Sequence, residues 1–383
     1  MIKIVTVIGA RPQIIKAAAI TRVFRQQYAG QIEEIMVHTG QHYDQNMSQV
    51  FFDELEIPQE HYNLQVGSGS HAKQTAAIMV ALEEVLLKEK PDYLLLYGDT
   101  NSTLAGAVVA AKMFIPIIHI EAGVRAENKT NPEELNRIVC DHYASLLFYY
   151  TDSALVYLKK EGFPLDNKAP FHINNPGVFL CGDIMYDNSL YFREKANRVS
   201  TTIASLGLTD KPFALATAHR DINTDKPERL LGLVQGFDAI SKAFDLDFII
   251  PLHPRTTKLL QSAENAEANS VLQANPKLHC IGPASYLDMV ALESGATLIL
   301  TDSGGVQREA YFFEKPCIIL NEETPWPELL EHGSTLLGST QPEQLLACAQ
   351  QLMAVKDSLH YPPIFGDGKA AEFIVATIME SQQ

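Results

Sequence analysis

Hydrophobic positions along this chain follow two alternating periods, which predicts short buried strands separated by longer amphipathic helices. In the first half, runs rich in β-branched and aromatic residues predict strands at 3–8, 34–39, 93–97, 117–121 and 146–150. Segments with a helical period lie between these strands, at 13–27, 46–55, 73–88, 102–112 and 132–144. Because strands and helices alternate, we expect parallel sheets with crossover helices.

The second half repeats the same alternation, with strands predicted at 213–217, 248–252, 278–281, 298–301 and 317–320. A polar segment at about 174–188, punctuated by Gly and Pro, is interpreted as the crossover between two domains. We expect an α/β fold of two Rossmann-like, doubly wound domains, at 1–175 and 176–368, facing a cleft at the carboxyl ends of their strands. A last helix is predicted at 370–380, within a terminal segment 369–383.

Composition narrows the classes of function. The chain has 383 residues, 46% of them hydrophobic, which suits two folded domains and excludes a disordered chain. Its formal net charge of −16 disfavours a binder of nucleic acid or of anionic membranes. Five scattered Cys without a Cys-x-x-Cys pair predict neither a disulfide framework nor a zinc cluster, and they favour a reducing compartment. The first residues lack a signal-peptide pattern, and no apolar stretch reaches a membrane-spanning length, so we expect a cytoplasmic protein.

A cluster of cations follows the first predicted strand. Gly9 allows a tight turn, and Pro12 suits the first turn of a helix, whose amino terminus favours an anion. Arg11 and Lys16 are therefore candidates to neutralise a diphosphate or a developing negative charge. The alternative is an ordinary strand–turn–helix unit with two solvated cations.

Three carboxylates follow later strands of the first half. Asp99 comes just after strand 93–97, where it either caps the next helix or does chemistry. Glu121 ends an apolar strand, and a carboxylate is costly to bury without a partner or a role. Glu133 and Arg137 stand four residues apart on one predicted helix, so they share a face, and an exposed ion pair is the simple alternative.

In the second half, His219 and Arg220 follow strand 213–217, and Ser303, Gly304 and Gly305 follow strand 298–301. Small residues before a helix let a phosphate approach the backbone N–H groups, so this segment predicts a phosphate cradle, the alternative being a plain turn. It matches neither the Walker A motif nor the dinucleotide motif. The twelve His form no metal-binding motif, so we expect no metal and no other cofactor.

Seven segments together, in this order, resemble the non-hydrolysing UDP-N-acetylglucosamine 2-epimerase family across the whole chain. They are Gly-Ala-Arg-Pro-Gln-x-x-Lys at 9–16, His-Thr-Gly-Gln-His at 38–42, Tyr-Gly-Asp-Thr-Asn-Ser-Thr at 97–103, His-Ile-Glu-Ala-Gly-x-Arg at 119–125, Pro-Glu-Glu-x-Asn-Arg at 132–137, His-Arg at 219–220 and Thr-Asp-Ser-Gly-Gly-x-Gln-x-Glu at 301–309. The resemblance implies the glycosyltransferase-B architecture, with the last helix crossing back to the first domain. It also implies a homodimer that needs no cofactor.

The implied reaction is the reversible 2-epimerisation of a UDP-2-acetamido sugar, UDP-GlcNAc to UDP-ManNAc, which feeds bacterial surface polysaccharide synthesis. It proceeds by elimination of UDP to a 2-acetamidoglucal and re-addition. Matching positions imply acid and base roles for Asp99 and Glu121 with help from Glu133, stabilisation of the diphosphate by Arg11, Lys16 and His219, and further substrate contacts from Arg137 and Arg220. For the nucleotide they imply a phosphate cradle of Ser303, Gly304 and Gly305, ribose binding by Glu309, and uracil binding around Pro283 and Tyr286. They also imply a possible regulatory site at Gln41 and His42.

Some positions depart from the family pattern. The segment between Arg125 and Pro132 is short, and Trp326 stands where many members carry an Arg. Other segments are similar to the branch that acts on UDP-2,3-diacetamido-2,3-dideoxyglucuronate, so the sugar stays open. A hydrolysing epimerase and a glycosyltransferase of the same fold are the further enzyme alternatives, and a non-catalytic sugar-nucleotide sensor is the non-enzyme alternative.

Overall fold

A computed structural model describes residues 1–41, 52 and 54–381 of the chain. These residues form two compact units, the first made of 1–188 with 363–383 and the second of 189–362. The sequence placed the same two divisions at 175/176 and 368/369. Compared with the predicted domain 1–175, the first unit also contains the strand at 177–180 and the start of the helix that follows it. It also includes residues 363–368, which the sequence had assigned to the second domain.

The first unit is built on a seven-stranded parallel sheet. Its strands are β1 (Ile2–Ile8), β2 (Ile32–His38), β3 (Tyr62–Asn63), β4 (Tyr93–Tyr97), β5 (Ile117–Ile120), β6 (Leu146–Tyr149) and β7 (Gly177–Leu180). Their spatial order is β3-β2-β1-β4-β5-β6-β7. The order reverses direction between β1 and β4, which is where open α/β sheets of this kind bind their ligands.

The helices of the first unit are α1 (Arg11–Gln27), α2 (His71–Glu89), α3 (Asn101–Lys112), α4 (Pro132–Tyr143) and α5 (Asp152–Lys160). Helix α6 (Ile184–Val199) runs across the division between the units. Three of these helices begin at a side-chain cap, where Thr100, Asn131 and Thr151 each accept a hydrogen bond from a first-turn backbone N–H. The helix predicted at 46–55 lies mostly outside the described residues.

The second unit contains a six-stranded parallel sheet. Its strands are β8 (Phe213–Thr217), β9 (Asp247–Pro251), β10 (Leu278–Ile281), β11 (Leu298–Thr301), β12 (Cys317–Ile319) and β13 (Thr335–Leu337), in the order β10-β9-β8-β11-β12-β13. Its helices are α7 (Thr202–Ser205), α8 (Asp221–Thr224), α9 (Pro227–Phe244), α10 (Pro254–Leu260), α11 (Ala266–Ala274), α12 (Tyr286–Gly295), α13 (Gly304–Phe312) and α14 (Pro342–Val355). The expected class, two α/β domains with parallel sheets, is confirmed.

The last helix, α15 (Ala370–Glu380), belongs to the first unit and packs against α1. The carboxylate of Asp187 accepts hydrogen bonds from the backbone N–H groups of Ala370 (3.1 Å) and Ala371 (2.8 Å). A carboxylate at this position satisfies first-turn donors and interacts favourably with the helix dipole. Asp187, which lies where the chain leaves the first unit, thus caps α15.

Some sequence-based element predictions need correction. Strand β7 lies inside the segment interpreted as the crossover, and its half-buried residues pair in parallel with β6. Strands β3 and β13 have two and three residues, too few to show a periodic pattern. The strand predicted at 117–121 ends at Ile120 because Glu121 has a φ of 77°, which no strand accommodates. Over the described part of the chain, no helix combines the length and the apolar character needed to cross a membrane.

Candidate active site

Strand register in the first unit brings chemically useful residues to one edge of the sheet. Leu94 lies opposite Ile117 and Tyr97 opposite Ile120, so β4 and β5 end side by side. The turn that follows β4 contains Gly98 and Asp99, and the turn that follows β5 begins at Glu121. A Cβ atom added at Gly98 would lie 3.4 Å from Oε2 of Glu121 and 3.4 Å from Nζ of Lys16. The cation predicted from α1 and the carboxylate predicted from β5 therefore meet beside the end of β4.

Glu121 is the most constrained residue of this group. Its carboxylate forms an ion pair with Lys16, which is 7% exposed, and its Oε1 accepts a hydrogen bond from the hydroxyl of Tyr150 at 3.0 Å. Its φ of 77° is in the left-handed region, which costs a non-Gly residue about 1–2 kcal/mol. Strain of this kind concentrates at functional sites, because the surrounding contacts hold the residue in place.

Asp99 is held from helix α4. Its carboxylate pairs with Arg137, and its backbone carbonyl accepts a hydrogen bond from the amide of Asn136 at 2.9 Å. Arg137 also pairs with Glu134, three residues before it, at 3.2 Å. Arg137 thus pairs with Asp99 and Glu134, and not with Glu133 as in the simple alternative, while Glu133 is exposed.

Glu134, which sequence reasoning passed over, is the buried carboxylate of this helix. It is 2% exposed, and its two oxygens accept the backbone N–H groups of Ala126 (2.9 Å) and Glu127 (3.0 Å). It thereby fixes the short segment before α4 and the guanidinium that holds Asp99. The sequence signal was the pair of adjacent Glu residues, and only the rotation of the helix shows which one is buried.

A fully buried histidine supports the two turns from behind. Nδ1 of His119 lies 2.6 Å from Oδ1 of Asp141, and Nε2 lies 2.8 Å from the carbonyl of Gly98. Burial alone would lower the pKa of His119, but Cys140 and the Asp141 carboxylate beside it raise this pKa well above its ordinary value. A doubly protonated ring can donate to both acceptors at once, so His119 fixes the backbone immediately before Asp99.

Asp141 also joins His119 to Arg125. Its Oδ2 accepts from the backbone N–H of Gly123 (3.0 Å) and lies 2.7 Å from Nη2 of Arg125, which in turn pairs with Glu161. Despite complete burial, His119 and Arg125 hold the pKa of Asp141 below its usual value. Asp141 and Glu161 escaped sequence reasoning because they lie far along the chain from the His-x-Glu-x-Gly-x-Arg segment they support.

Two glutamines fix the turn after β1. Oε1 of Gln13 accepts the backbone N–H groups of Gly9 (2.9 Å) and Ala10 (3.2 Å), while its amide donates to the carbonyl of Tyr97 at 2.9 Å. Gln41, a predicted regulatory residue, is 7% exposed, and its Oε1 accepts both the N–H and the hydroxyl of Ser102. The Gln41 side chain is therefore engaged in capping α3. The other predicted regulatory residue, His42, lies outside the described residues.

In the second unit, a buried aspartate shapes the turn that carries His219 and Arg220. Asp302 is 0% exposed, and its carboxylate accepts the backbone N–H groups of both residues at 3.0 Å. The hydroxyls of Thr217 and Thr301 are hydrogen-bonded at 2.7 Å across neighbouring strands. The turn after β8 and the turn after β11 are thus tied together. Arg220 points to the surface, as Arg11 does in the first unit.

His219 carries a neutral ring in this setting. Burial lowers the pKa of His219, and His253, whose ring centroid is 6.3 Å away, lowers this pKa further, while Asp302 opposes the shift. Its buried Nδ1 has no hydrogen-bond partner among the described residues. An unsatisfied buried nitrogen is costly, so a ligand that supplied a partner would be favoured.

The predicted phosphate cradle coincides with the amino terminus of helix α13. Gly304 and Gly305 are its first two residues and have ordinary helical backbone angles. A Cβ atom added at either glycine would meet nothing closer than 3.5 Å. Neither backbone conformation nor internal packing requires glycine here, so the missing side chains leave room for something outside the protein fold.

The remaining predicted binding residues lie nearby in the second unit. Glu309 is 8% exposed, and its Oε2 is 3.8 Å from a Cβ atom placed at Gly305. Burial and the neighbouring Glu309 raise the pKa of Glu293 well above its ordinary value, so this second carboxyl stays neutral. Tyr286 is buried at the start of α12, with its ring edge-on to Phe192 at 5.6 Å, while Pro283 lies exposed in the preceding loop.

The position where many family members carry an Arg has a different arrangement here. The guanidinium of Arg308 lies 4.5 Å from the ring centroid of Trp326, a cation–π contact. Nε1 of Trp326 would lie 3.5 Å from a Cβ atom at Gly304. A cation therefore remains beside the cradle, carried by α13 instead of the segment that contains Trp326.

Comparisons with known proteins identify one family. A family model described as UDP-N-acetylglucosamine 2-epimerase matches residues 25–379. A UDP-N-acetylglucosamine 2-epimerase homolog of Methanococcus maripaludis is 42% identical over 379 residues, covering 98% of this chain and 99% of that protein. The UDP-2,3-diacetamido-2,3-dideoxy-D-glucuronate 2-epimerase of Pseudomonas aeruginosa is 40% identical over 373 residues, covering 97% and 98%. The crystal structure of Methanocaldococcus jannaschii UDP-GlcNAc 2-epimerase in complex with UDP-GlcNAc and UDP superposes with a TM-score of 0.82 at 38% identity, covering 99% of this chain and 100% of that one. The expected glycosyltransferase-B-like fold is confirmed.

Proposed function

The chain belongs to the UDP-N-acetylglucosamine 2-epimerase family, and on this premise we propose that it reversibly inverts C2 of a UDP-2-acetamido sugar, UDP-GlcNAc to UDP-ManNAc, without releasing UDP. The second unit binds the UDP moiety, and the first unit supplies the acid and base. The product serves bacterial surface polysaccharide synthesis.

The chemistry of the sugar sets what the site must do. The hydrogen on C2 is barely acidic, because no carbonyl group is attached to that carbon. Elimination solves this problem: the C1–O bond to UDP breaks as C2 loses its proton, which leaves a 2-acetamidoglucal and bound UDP. Re-addition of UDP to C1, with a proton delivered to the other face of C2, gives the epimer. Such a route needs a base, an acid and stabilisation of the departing diphosphate.

The observation that carries this proposal is the pair of held carboxylates beside the ends of β4 and β5. Glu121 is fixed by Lys16 and Tyr150, and Asp99 is fixed by Arg137. Each is paired with a cation, and these contacts preserve its position. We assign Glu121 and Asp99 to proton transfer at C2, and we assign Glu133 no more than an assisting role, because it is exposed.

Binding of the nucleotide falls to the residues of the second unit. Ser303, Gly304 and Gly305 present the N-terminal N–H groups of α13 to the phosphates, and His219 offers its unsatisfied nitrogen. Glu309 accepts the ribose hydroxyls. Lys16, Arg11, Arg137 and Arg220 supply positive charge for the diphosphate and the sugar, and Pro283 with Tyr286 borders the uracil.

A second substrate has specific support. The relative that acts on UDP-2,3-diacetamido-2,3-dideoxy-D-glucuronate is nearly as similar to this chain as the relative named for UDP-GlcNAc, at 40% against 42% identity. A uronate adds a carboxylate to the sugar and therefore calls for an additional cation in the site. The same elimination chemistry applies to both sugars, so the alternative concerns the substrate and leaves the reaction unchanged.

The test is a product assay in D₂O with UDP-GlcNAc and UDP-2,3-diacetamido-2,3-dideoxyglucuronate supplied separately. We expect one of them to be converted to its C2 epimer with deuterium at C2, as seen by proton NMR. Free UDP should stay far below the amount of epimer; accumulation of equimolar UDP would identify a hydrolysing enzyme. Absence of deuterium at C2 from both sugars would refute the proposal.

A further inference from the structure

The phenol of Tyr150 is a neighbour of Glu121 that the sequence motifs do not include. Tyr150 directly follows β6, is 3% exposed, and donates its hydroxyl hydrogen to Oε1 of Glu121 at 3.0 Å. The backbone brings the two together, because the N–H groups of Glu121 and Ala122 both donate to the carbonyl of Phe148, at 3.1 and 3.0 Å. Lys16 pairs with the other oxygen, Oε2, so each oxygen of this carboxylate has its own partner.

The ring of Tyr150 also lies close to a second aromatic ring. Its centroid lies 6.2 Å from that of Phe365, which is 2% exposed and belongs to the segment that returns to the first unit. The carbonyl of Phe365 accepts the backbone N–H of Asp183 at 2.8 Å. A Cβ atom added at Gly366 would lie only 2.9 Å from Cα of Gly182, so these two segments are in close backbone contact. Phe365 is therefore anchored, and it limits movement of the tyrosine ring.

We propose that Tyr150 is a positioning residue for Glu121, and that Phe365 holds Tyr150 in place. This inference rests on the proposed function, in which Glu121 exchanges a proton with C2 of the sugar. A carboxylate on a backbone with a φ of 77° has no helix or strand to orient it, so its direction depends on side-chain contacts. The hydrogen bond from Tyr150 fixes one oxygen of this carboxylate.

The primary test is Tyr150→Phe, which deletes one oxygen and keeps the ring. The substitution removes a hydrogen bond to a charged group. A base that is displaced even slightly transfers a proton much more slowly, so we expect kcat to fall by about 10- to 100-fold. KM should change less than about threefold, since Tyr150 does not touch UDP in the proposal. The matched control is Tyr149→Phe, the same substitution one residue earlier, on the face that packs into the hydrophobic core; its kcat should equal that of the wild type.

A double-mutant cycle separates positioning from a merely structural effect. If Tyr150 acts through Glu121, adding Tyr150→Phe to Glu121→Gln should lower the residual kcat by less than about twofold, because the group being positioned is already gone. Full multiplication of the two single effects would overturn the inference. So would a kcat for Tyr150→Phe equal to that of Tyr149→Phe.

A second variant covers the case in which Tyr150→Phe folds poorly. Phe365→Leu keeps the phenol but loosens its support, and it should lower kcat by about three- to tenfold with UDP affinity unchanged. An unchanged kcat in a folded Phe365→Leu protein would remove the supporting role of Phe365. Failure of the inference is distinguishable from failure of the proposed function: in the first case the wild type exchanges deuterium at C2 and the variants match it, and in the second the wild type itself exchanges none.

Discussion

The strand ends of the two units differ in how they treat charge. In the first unit, carboxylates and cations are paired at the turns after β4 and β5, as in Lys16–Glu121 and Arg137–Asp99. In the second unit, the turn after β8 carries a neutral His219, and the turn after β11 contains two glycines and an aspartate whose oxygens accept backbone N–H groups. Two parallel sheets of the same class thus carry different arrangements of charge at these turns.

This difference follows from the charges that the turns of each unit have to stabilise. Buried charges persist only when they are paired and hydrogen-bonded, so the first unit surrounds its two carboxylates with cations and a buried His119–Asp141–Arg125 network. In the second unit, Gly304 and Gly305 leave the amino terminus of α13 without bulky side chains, and an incoming diphosphate would bring its own charge there. Under the proposed function, the paired charges of the first unit serve proton transfer, and the glycine-containing turn of the second unit binds the nucleotide.

The largest effect should come from Glu121→Gln. Loss of the base is expected to cut kcat by about 100-fold or more, with UDP affinity within about threefold of the wild type. Steady-state kinetics and calorimetric titration of UDP measure the two quantities separately. Glu83→Gln, the same substitution at an exposed position of α2, is the control and should change neither. A Glu121→Gln protein that binds UDP much more weakly but turns over normally would contradict the division of roles.

The complementary change is Gly305→Ala in the second unit. The added methyl group meets no atom closer than 3.7 Å within the fold, so the melting temperature should not fall. The same methyl group occupies space beside the N–H groups of α13, and we expect UDP affinity to drop about 30-fold. Gly69→Ala, also free of close contacts, is the control and should bind UDP normally. Unaltered UDP binding by a stable Gly305→Ala protein would show that this turn is not the cradle.

The two adjacent glutamates of α4 test how firmly the first unit anchors its charges. Glu134→Gln removes a buried carboxylate that accepts two backbone N–H groups, and it should lower the free energy of unfolding by about 2 kcal/mol. Glu133→Gln changes an exposed side chain and should shift it by less than about 0.5 kcal/mol. Denaturant unfolding of both variants measures this. Equal effects would mean that burial of Glu134 does not anchor the turn before α4.

The smallest expected effect concerns the protonation of His219. Burial lowers its pKa, so the free protein holds a neutral ring near pH 7. A bound diphosphate favours the charged ring and therefore raises the pKa of His219 in the complex. UDP-GlcNAc affinity should then rise as the pH falls from the pKa of His219 in the complex to its pKa in the free protein. We expect about a fivefold gain from pH 8 to pH 6, measured by calorimetry with the Glu121→Gln variant to prevent turnover. Persistence of the full gain in His219→Gln would assign the proton elsewhere.

The sequence was informative where a polar cluster directly follows a strong strand. The strands at 93–97, 213–217, 278–281 and 298–301 were predicted with the observed bounds. All of them except the edge strand at 278–281 are fully buried, and buried parallel strands are short, largely apolar runs. The turns after them then had to meet at one sheet edge. Very short strands such as β3 gave no pattern, and the pairing of β7 with β6 depends on contacts that a local pattern does not contain.

Site residues escaped prediction for a related reason. Asp141, Glu161 and Tyr150 each act across a large sequence separation, and nothing in their own neighbourhood marks them. The choice between Glu133 and Glu134 was local, yet it depended on the rotation of α4, which is set by packing. Sequence therefore identified the groups placed at the strand ends, and the structure identified the groups that hold them.

The central claim is that the bond between C1 and the UDP oxygen breaks while UDP stays bound. Positional isotope exchange tests it most directly, with a UDP-GlcNAc whose oxygen between C1 and the β-phosphate is ¹⁸O, or with the corresponding diacetamido uronate if that is the substrate turned over. Once the bond to C1 is broken, the β-phosphate of the bound UDP can rotate before re-addition, so the account predicts that ¹⁸O appears in non-bridging positions of the recovered substrate at a rate comparable to epimerisation. Full retention of ¹⁸O in the bridge, in a sample that has epimerised at C2, would contradict the account.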